Sequence, residues 1–200
     1  MKEVQLSGSL RANVGKKDAK AARAAGLVPC VLYGQGEQTH FTVKAIDMEK
    51  IVFSPDVYRI ELDLDGKNSM AIIQELQQHP VKDTIQHVDF LELDGKKEVK
   101  VGLPVRLTGN SRGVINGGRL MQVFRRLNVQ GLPSNLPEAI VIDITELRIG
   151  KSIRIDQIPG YELNFLDPHN AVVVSVARAR NSVDDEEEEE GEEGAEGEEG

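Results

Sequence analysis

The chain has 200 residues, a formal net charge of −9 at pH 7, 40% hydrophobic residues, few aromatic residues and no tryptophan. This composition favours cores built from Val, Ile and Leu, the aliphatic residues that suit β-strands. No stretch approaches the roughly 20 consecutive apolar residues of a membrane helix, and a single cysteine, Cys30, excludes an internal disulfide. We therefore expect a cytoplasmic protein made of β-rich domains.

The acidic charge is concentrated at one end of the chain. Residues 184–199 hold 12 of the 33 acidic residues, which leaves 21 acidic against 24 basic residues in 1–180. The basic charge is concentrated at the start, where residues 1–35 hold six basic and two acidic residues. Because residues 181–200 have little apolar surface to bury and repel one another, we expect a disordered acidic tail there.

Residues 1–95 show a series of short strands with two short helices. In chain order, the patterns predict a strand at 4–10, a helix at 16–25, strands at 28–33 and 39–43, a helix capped by Asp47, a strand at 57–64, a turn at Asp65-Gly66, and strands at 69–78 and 84–93. In the last strand, period two places Val88 and Phe90 toward the core, and His87 and Asp89 on one line with Ile85 and Leu91. This series predicts a small β-barrel.

A polar break at residues 94–97 separates a second series of strands. Alternation of apolar residues from Val99 to Leu107 begins it, and further strands are predicted at 127–130, 140–144, 152–155 and 171–177, with one helix near 120–126. The predicted fold is therefore mainly β with short helices. It combines an N-terminal small β-barrel at 1–95 with a C-terminal all-β domain at 96–180.

The first helix carries a stripe of basic side chains. Lys16, Lys20 and Arg23 are spaced i, i+4 and i+7, which places them on one face with no acidic partner among them, and Arg11 lies just before the helix. Four cations on a short rigid element suit the phosphates that flank an RNA groove. An ordinary solvated helix face is the alternative that the spacing leaves open.

Polar side chains alternate on the two strands that end the first domain. Glu75, Gln77 and His79 share one predicted face, as do His87 and Asp89. A carboxylate repels phosphate, so Asp89 fits an RNA interface only if it accepts hydrogen bonds from base amino or imino groups. The alternative is a set of polar residues on the wet face of a half-buried sheet.

Tyr33 stands at the end of a buried strand, where its ring can stack on a base or sugar or simply cap the core. The basic helix, this tyrosine and the polar strand face are weak signals when taken one at a time. Their presence together in one small domain favours RNA binding.

Three stretches of the first domain match a known family. They read Arg11-x-x-x-Gly15-Lys16, then Arg23-Ala24-Ala25-Gly26-x-x-Pro29-x-x-x-Tyr33-Gly34, and later Gln77-x-His79-Pro80-x-Lys82-x-x-x-Gln86-His87-x-Asp89-Phe90. They resemble the bacterial ribosomal protein family that binds 5S ribosomal RNA, in the two-domain form called the general stress protein CTC family. Segments of the second domain, such as Leu136-Pro137-Glu138, also fit, so the resemblance covers residues 1 to about 180.

The resemblance implies a structural protein of the large ribosomal subunit, without cofactor, whose first domain binds an internal loop of 5S ribosomal RNA. The contacts implied by position are Arg11, Lys16, Lys20, Arg23, Tyr33, Gln77, His87 and Asp89. The chain departs from the family pattern at Ala19, Ala21 and Gln78, where some members carry a hydroxyl, a basic residue and an arginine. Each departure removes a hydrogen-bond donor.

Catalysis is the first alternative to RNA binding. His79, His87 and Asp89 include two metal-ligand types on one strand face, but no additional general base accompanies them. Cys30 lies in an apolar strand with no histidine nearby in the sequence. The glycines in 113–118 lack the Gly-Lys-Ser/Thr ending of a phosphate-binding loop. We therefore do not expect an enzyme.

A second alternative is a stress-related interaction module that acts off the ribosome through the second domain and the tail. The tail itself has two interpretations. It is either a solubilising appendage or an acidic segment that competes with RNA for the basic helix.

Overall fold

The computed structural model describes residues 1–34, 36, 38–158, 161 and 163–178. The chain divides into two units. One comprises Met1–Val101 together with Gln130–Glu138, and the other comprises Gly102–Val129 together with the described residues from Ala139 onward. The predicted tail at 181–200 lies outside the described residues.

Strands dominate the first unit. In chain order its elements are β1 (Lys2–Leu10), α1 (Lys16–Ala24), β2 (Leu27–Tyr33), β3 (Thr39–Lys44), α2 (Ala45–Val52), β4 (Tyr58–Leu64), β5 (Lys67–Gln78) and β6 (Ile85–Glu92). The six strands form a closed barrel in the order β1-β3-β2-β6-β5-β4. Closure gives every strand two neighbours and leaves no open sheet edge.

The first strand closes the barrel by pairing on both sides. β1 runs parallel to β4, from Lys2 opposite Tyr58 to Gly8 opposite Leu64, and its end pairs antiparallel with β3. β2 lies between β3, to which it is antiparallel, and β6, to which it is parallel. The two parallel pairs, β1 with β4 and β2 with β6, therefore join strands that are distant in sequence.

The interior of the barrel is filled by the inward residues of each strand. On β4, Ile60, Leu62 and Leu64 are buried, as the alternating pattern predicts. Phe41 and Phe90 are fully buried, and their ring centroids are 5.5 Å apart. This aromatic pair joins β3 to β6 across the core.

Two local predictions meet different outcomes. Asp65 and Gly66 have φ angles of 51° and 87° in the turn between β4 and β5, as expected for a tight hairpin. Asp47 does not cap α2, because the helix begins two residues earlier and Lys44 occupies the cap position. Asp47 instead lies in the first turn and forms an ion pair with Lys50 at 3.0 Å.

A β-bulge shifts the alternation of β6. Gln77 pairs with His87 but Gln78 pairs with Ile85, so Gln86 is an extra residue in β6. The prediction that Ile85 shares the line of His87 is therefore wrong. The bulge turns Ile85 into the core cluster, while His87 stays on the outer face.

The second half of the chain contains short strands. Its elements are β7 (Val99–Thr108), α3 (Arg112–Ile115), β8 (Arg119–Gln122), β9 (Arg126–Gly131), β10 (Ile140–Asp143), β11 (Ser152–Arg154), a 3-10 helix (Ile155–Gln157), β12 (Asn164–Phe165) and β13 (Val172–Ala177). They form a four-stranded sheet in the order β10-β7-β9-β12 and a three-stranded sheet in the order β11-β13-β8.

The helix predicted near 120–126 is wrong. Residues Arg119–Gln122 form β8, which pairs antiparallel with β13, for example Met121 opposite Ser175. Strand β13 supplies the backbone hydrogen-bond partners that override a short local preference. The mainly β fold with short helices is confirmed. No helix in the described part of the chain is long and apolar enough to cross a membrane.

Candidate RNA interface

Helix α1 lies on the barrel surface and has no buried residue. Polar contacts hold it at both ends. In the first turn, Asp18 accepts from Arg11, with Nη2 at 2.5 Å and Nε at 3.2 Å from the same carboxylate oxygen. In the last turn, Arg23 Nε donates to the backbone carbonyl oxygen of Gln86 at 3.1 Å. The helix is therefore anchored to its own entry loop and to the bulge of β6.

The four predicted cations divide into two kinds. The side chain of Arg11 is only 10% exposed and forms an ion pair with Asp18, so Arg11 does not add a free cation to the three on the helix. The side chains of Lys16 and Lys20 are exposed, and their ammonium groups make no hydrogen bond or ion pair with the residues that the structure describes. The anchors hold the helix, and the two lysines are available to an anionic ligand.

The polar residues of β5 and β6 lie side by side on neighbouring strands. Glu75 is opposite Asp89, and Gln77 is opposite His87. Directly paired residues point to the same side of a sheet, and the neighbouring Val88 is fully buried, so these four side chains lie on the outside of the barrel. The structure thus gathers amide, imidazole and carboxylate groups on one surface, as the sequence predicts.

His87 and Asp89 are in contact on this outer face. His87 Nδ1 is 2.6 Å from Asp89 Oδ1, and both side chains are about one quarter exposed. The distance suits an ion pair, but no described group donates a well-directed hydrogen bond to Asp89 Oδ1. This oxygen is itself covered from solvent, so within the described residues it is a buried acceptor without a hydrogen bond.

Tyr33 lies on the same outer side, one strand away. Val31 of β2 is next to Asp89 of β6, and Tyr33 is next to Leu91. Burial, followed by the negative charges of Asp89 and Glu75, raises the pKa of the Tyr33 hydroxyl above its ordinary value. The phenol therefore stays neutral at physiological pH and keeps its O–H as a donor beside these carboxylates.

His40 is a residue of this surface that the sequence interpretation missed. It pairs with Val31, which in turn neighbours Asp89, and its backbone carbonyl oxygen accepts from the Arg11 N–H at 3.0 Å. The alternation of buried Phe41 and Val43 already indicates that His40 points outward. Its place beside β2, however, is fixed only by the barrel order.

His79 does not join this face. It follows the end of β5, and its Nδ1 accepts from the backbone N–H groups of Val81 and Lys82 at 3.2 and 3.3 Å. Within the described ranges, no group of three or more His, Cys, Asp or Glu side chains is arranged to hold a metal ion.

Burial, with a smaller contribution from the charge of Asp89, raises the pKa of the Cys30 thiol, which stays protonated at neutral pH.

Comparison with known proteins identifies both halves of the chain. The model of the ribosomal L25p family matches residues 6–90, and that of the ribosomal protein TL5 C-terminal domain matches residues 98–180. The chain is 40% identical over 189 residues to a protein of Christiangramia forsetii. The matched segment covers 94% of this chain and 86% of that protein.

Two further relatives give the same result. A protein of Cytophaga hutchinsonii is 39% identical over 93% of this chain and 97% of its own length, and one of Porphyromonas gingivalis is 41% identical over 90% and 95%. All three relatives are called large ribosomal subunit protein bL25. The family resemblance read from the sequence is thereby confirmed: the chain belongs to the bL25 family of ribosomal proteins.

Proposed function

We propose that this chain is a structural protein of the large ribosomal subunit that binds 5S ribosomal RNA through α1 and the outer face of β2, β5 and β6. Its relatives bear the name of a ribosomal protein, which is a structural component and not an enzyme. The protein accordingly acts on the ribosome in the cytoplasm. We assign RNA binding to residues 1–95, a second domain to 96–180 and a tail to 181–200.

The observation that carries the proposal is the bond between Arg23 and the Gln86 carbonyl oxygen. It ties the exposed lysine-bearing helix to the strand that also carries His87 and Asp89. A phosphate-binding element and a base-reading element are thereby held in a fixed relation. RNA recognition needs both, because phosphate contacts position the protein and base contacts specify the site.

The basic residues at and before α1 have two different roles in phosphate binding. Lys16, Lys20 and Arg23 contact the RNA backbone from α1, and their charge supplies the salt-dependent part of the affinity. Arg11 acts mainly by holding the first turn of the helix through Asp18, since its guanidinium is almost fully covered. The contribution of Arg11 is therefore one of positioning.

The outer strand face reads the bases. Gln77 and His87 offer donors and acceptors next to each other, and the Asp89 carboxylate accepts from base amino or imino groups. Glu75 lies directly opposite Asp89, so this part of the surface is negative and disfavours phosphates. Tyr33 provides a ring that stacks on a base or sugar at the border of this face.

Titration of 5S ribosomal RNA with the full-length protein tests the proposal. An unrelated structured RNA of equal length is the control. Binding of the two RNAs is measured at the same salt concentration, without added metal ion or nucleotide. We expect the 5S RNA to bind at least about 100-fold more tightly than the control RNA. This ratio is lower than that of most specific complexes, but charge attraction alone would give similar affinities for the two RNAs. Equal affinity for the two RNAs would overturn the proposal.

A further inference from the structure

The turn between β5 and β6 is organised by one imidazole. His79 Nδ1 accepts from the backbone N–H groups of Val81 and Lys82, at 3.2 and 3.3 Å. The backbone of His79 closes the same turn, because its N–H donates to the Thr84 carbonyl oxygen at 2.9 Å and its carbonyl accepts from the Asp83 N–H at 3.0 Å. Residues 79–84, here called the hairpin tip, therefore have a defined conformation.

The two N–H groups have no partner of the usual kind in this turn. Pro80 has no N–H and fixes its own φ, so it cannot take part in a repeating ladder, and Asp83 adopts a φ of 53°. The Nδ1 lone pair is the shared acceptor for both N–H groups. The side chain thus replaces backbone acceptors inside the turn.

The hairpin tip presents an apolar side chain and a cation to solvent. Val81 is 83% exposed, the highest value among the large hydrophobic residues that the structure describes as exposed, and Lys82 beside it is exposed too. Exposure of Val81 contributes nothing to the barrel core. An apolar group next to a cation on an ordered turn instead suits a sugar and its phosphate.

The position of the hairpin tip connects it to the proposed RNA surface. One strand pair, Gln78 opposite Ile85, separates the tip from the pair formed by Gln77 and His87, and the Gln86 carbonyl oxygen that accepts from Arg23 lies two residues after the tip. The tip therefore joins the ends of the two strands whose outer face carries Gln77 and His87.

We propose that His79 is a positioning residue that fixes the hairpin tip so that Lys82 and Val81 form a further RNA contact. This inference rests on the proposed function. Lys82 contacts a phosphate, Val81 packs on the adjoining sugar, and the His79 ring acts through the backbone of these two residues without itself touching RNA.

Substitution of His79 in the full-length protein tests the positioning role. His79→Asn places its Oδ1 at the same number of bonds from the backbone as Nδ1 and keeps an acceptor there. His79→Gln moves the acceptor one bond further, and His79→Ala removes it. We expect 5S RNA affinity to fall about threefold for Ala and for Gln, the effect of roughly one phosphate contact, and to stay near wild type for Asn. Protection of the Val81 and Lys82 amides from hydrogen exchange should fall in the Ala and Gln variants and be kept in the Asn variant.

A double-mutant cycle with Lys82→Ala gives the decisive measurement. If His79 acts through Lys82, His79→Ala costs little more once Lys82 is already removed. Lys82→Ala alone should lower the salt slope of binding by about one. Thermal unfolding of each variant shows whether the barrel is intact, and the Asn variant keeps the test decisive should the Ala variant unfold.

The outcomes separate the two proposals. If wild-type protein shows no preference for 5S RNA, the proposed function fails. If it does, but His79→Ala binds like wild type or the two substitutions are additive, the positioning role is wrong and the function stands. If His79→Asn fails to restore binding although the Val81 and Lys82 amides stay protected, the ring itself contacts RNA. That result also contradicts the positioning role of His79.

Discussion

The side chain of Arg23 and the backbone of Gln86 form a hydrogen bond of 3.1 Å that joins the last turn of α1 to the bulge of β6. A bulge leaves backbone groups outside the regular ladder, and the carbonyl oxygen of this extra residue is one of them. Because α1 has no buried residue, this hydrogen bond and the pair formed by Arg11 and Asp18 help to hold its orientation.

Replacement of Arg23 separates its charge from its anchoring role. Arg23→Lys keeps the positive charge but loses the planar guanidinium that donates from Nε, so we expect weaker 5S RNA binding with an unchanged salt slope. Arg23→Ala should bind more weakly still and lower the slope by about one. Lys20→Ala is the matched control, since it removes a charge without an anchor. A wild-type affinity for Arg23→Lys would show that the anchor has no part in binding.

Asp89 provides a test of base readout. We expect Asp89→Ala to weaken 5S RNA binding by about 1–3 kcal/mol, because a base donor loses its acceptor. Filter binding or calorimetry at fixed salt measures this change. Simple charge repulsion predicts the opposite sign.

Glu75→Gln is the control for Asp89, because Glu75 is a carboxylate directly opposite on the same face. Removing its charge should leave binding unchanged or slightly stronger. If Asp89→Ala also binds as well as wild type or better, base readout by this residue is excluded and only phosphate attraction remains.

The tail at 181–200 is expected to lower binding to unrelated RNA. Its acidic residues carry a charge opposite to that of Lys16 and Lys20, and such an interaction is screened by salt. A chain ending at residue 180 should therefore bind unrelated RNA more tightly than the full chain at low salt, with the difference fading as salt rises. Equal affinities at low salt would leave the tail a role in solubility only.

The aromatic pair of the barrel core predicts a large effect on stability. Phe90→Ala removes a fully buried ring that contacts Phe41, so the free energy of unfolding of the first unit should fall by about 3–5 kcal/mol. Urea denaturation followed by circular dichroism measures it. Ile46→Ala, on the exposed side of α2, should change stability by no more than about 0.5 kcal/mol. Similar losses for both variants would contradict the core described for the barrel.

Much of the barrel could be predicted from local patterns. Ile60, Leu62 and Leu64 alternate with charged residues, and Asp65-Gly66 supplies a hairpin turn, so the strands and their inward faces follow from period two alone. The family likewise follows from side-chain identities at fixed spacings, such as those from Gln77 to Phe90, which need no coordinates.

Other features depend on pairing between distant segments. The sequence shows neither the bulge that turns Ile85 into the core nor the partner strand that makes Arg119–Gln122 a strand instead of a helix. It also does not show that Arg11 is neutralised by Asp18. Each of these is decided by which backbone groups meet across the fold.

The sequence by itself thus determined the alternating strands, the residues that carry charge and the family to which the chain belongs. The tertiary structure alone decided which polar residues lie side by side, which cations serve as anchors and which stay available. The physical reason is that side-chain periodicity is local, whereas hydrogen bonds between strands and ion pairs depend on distances that only the folded chain sets.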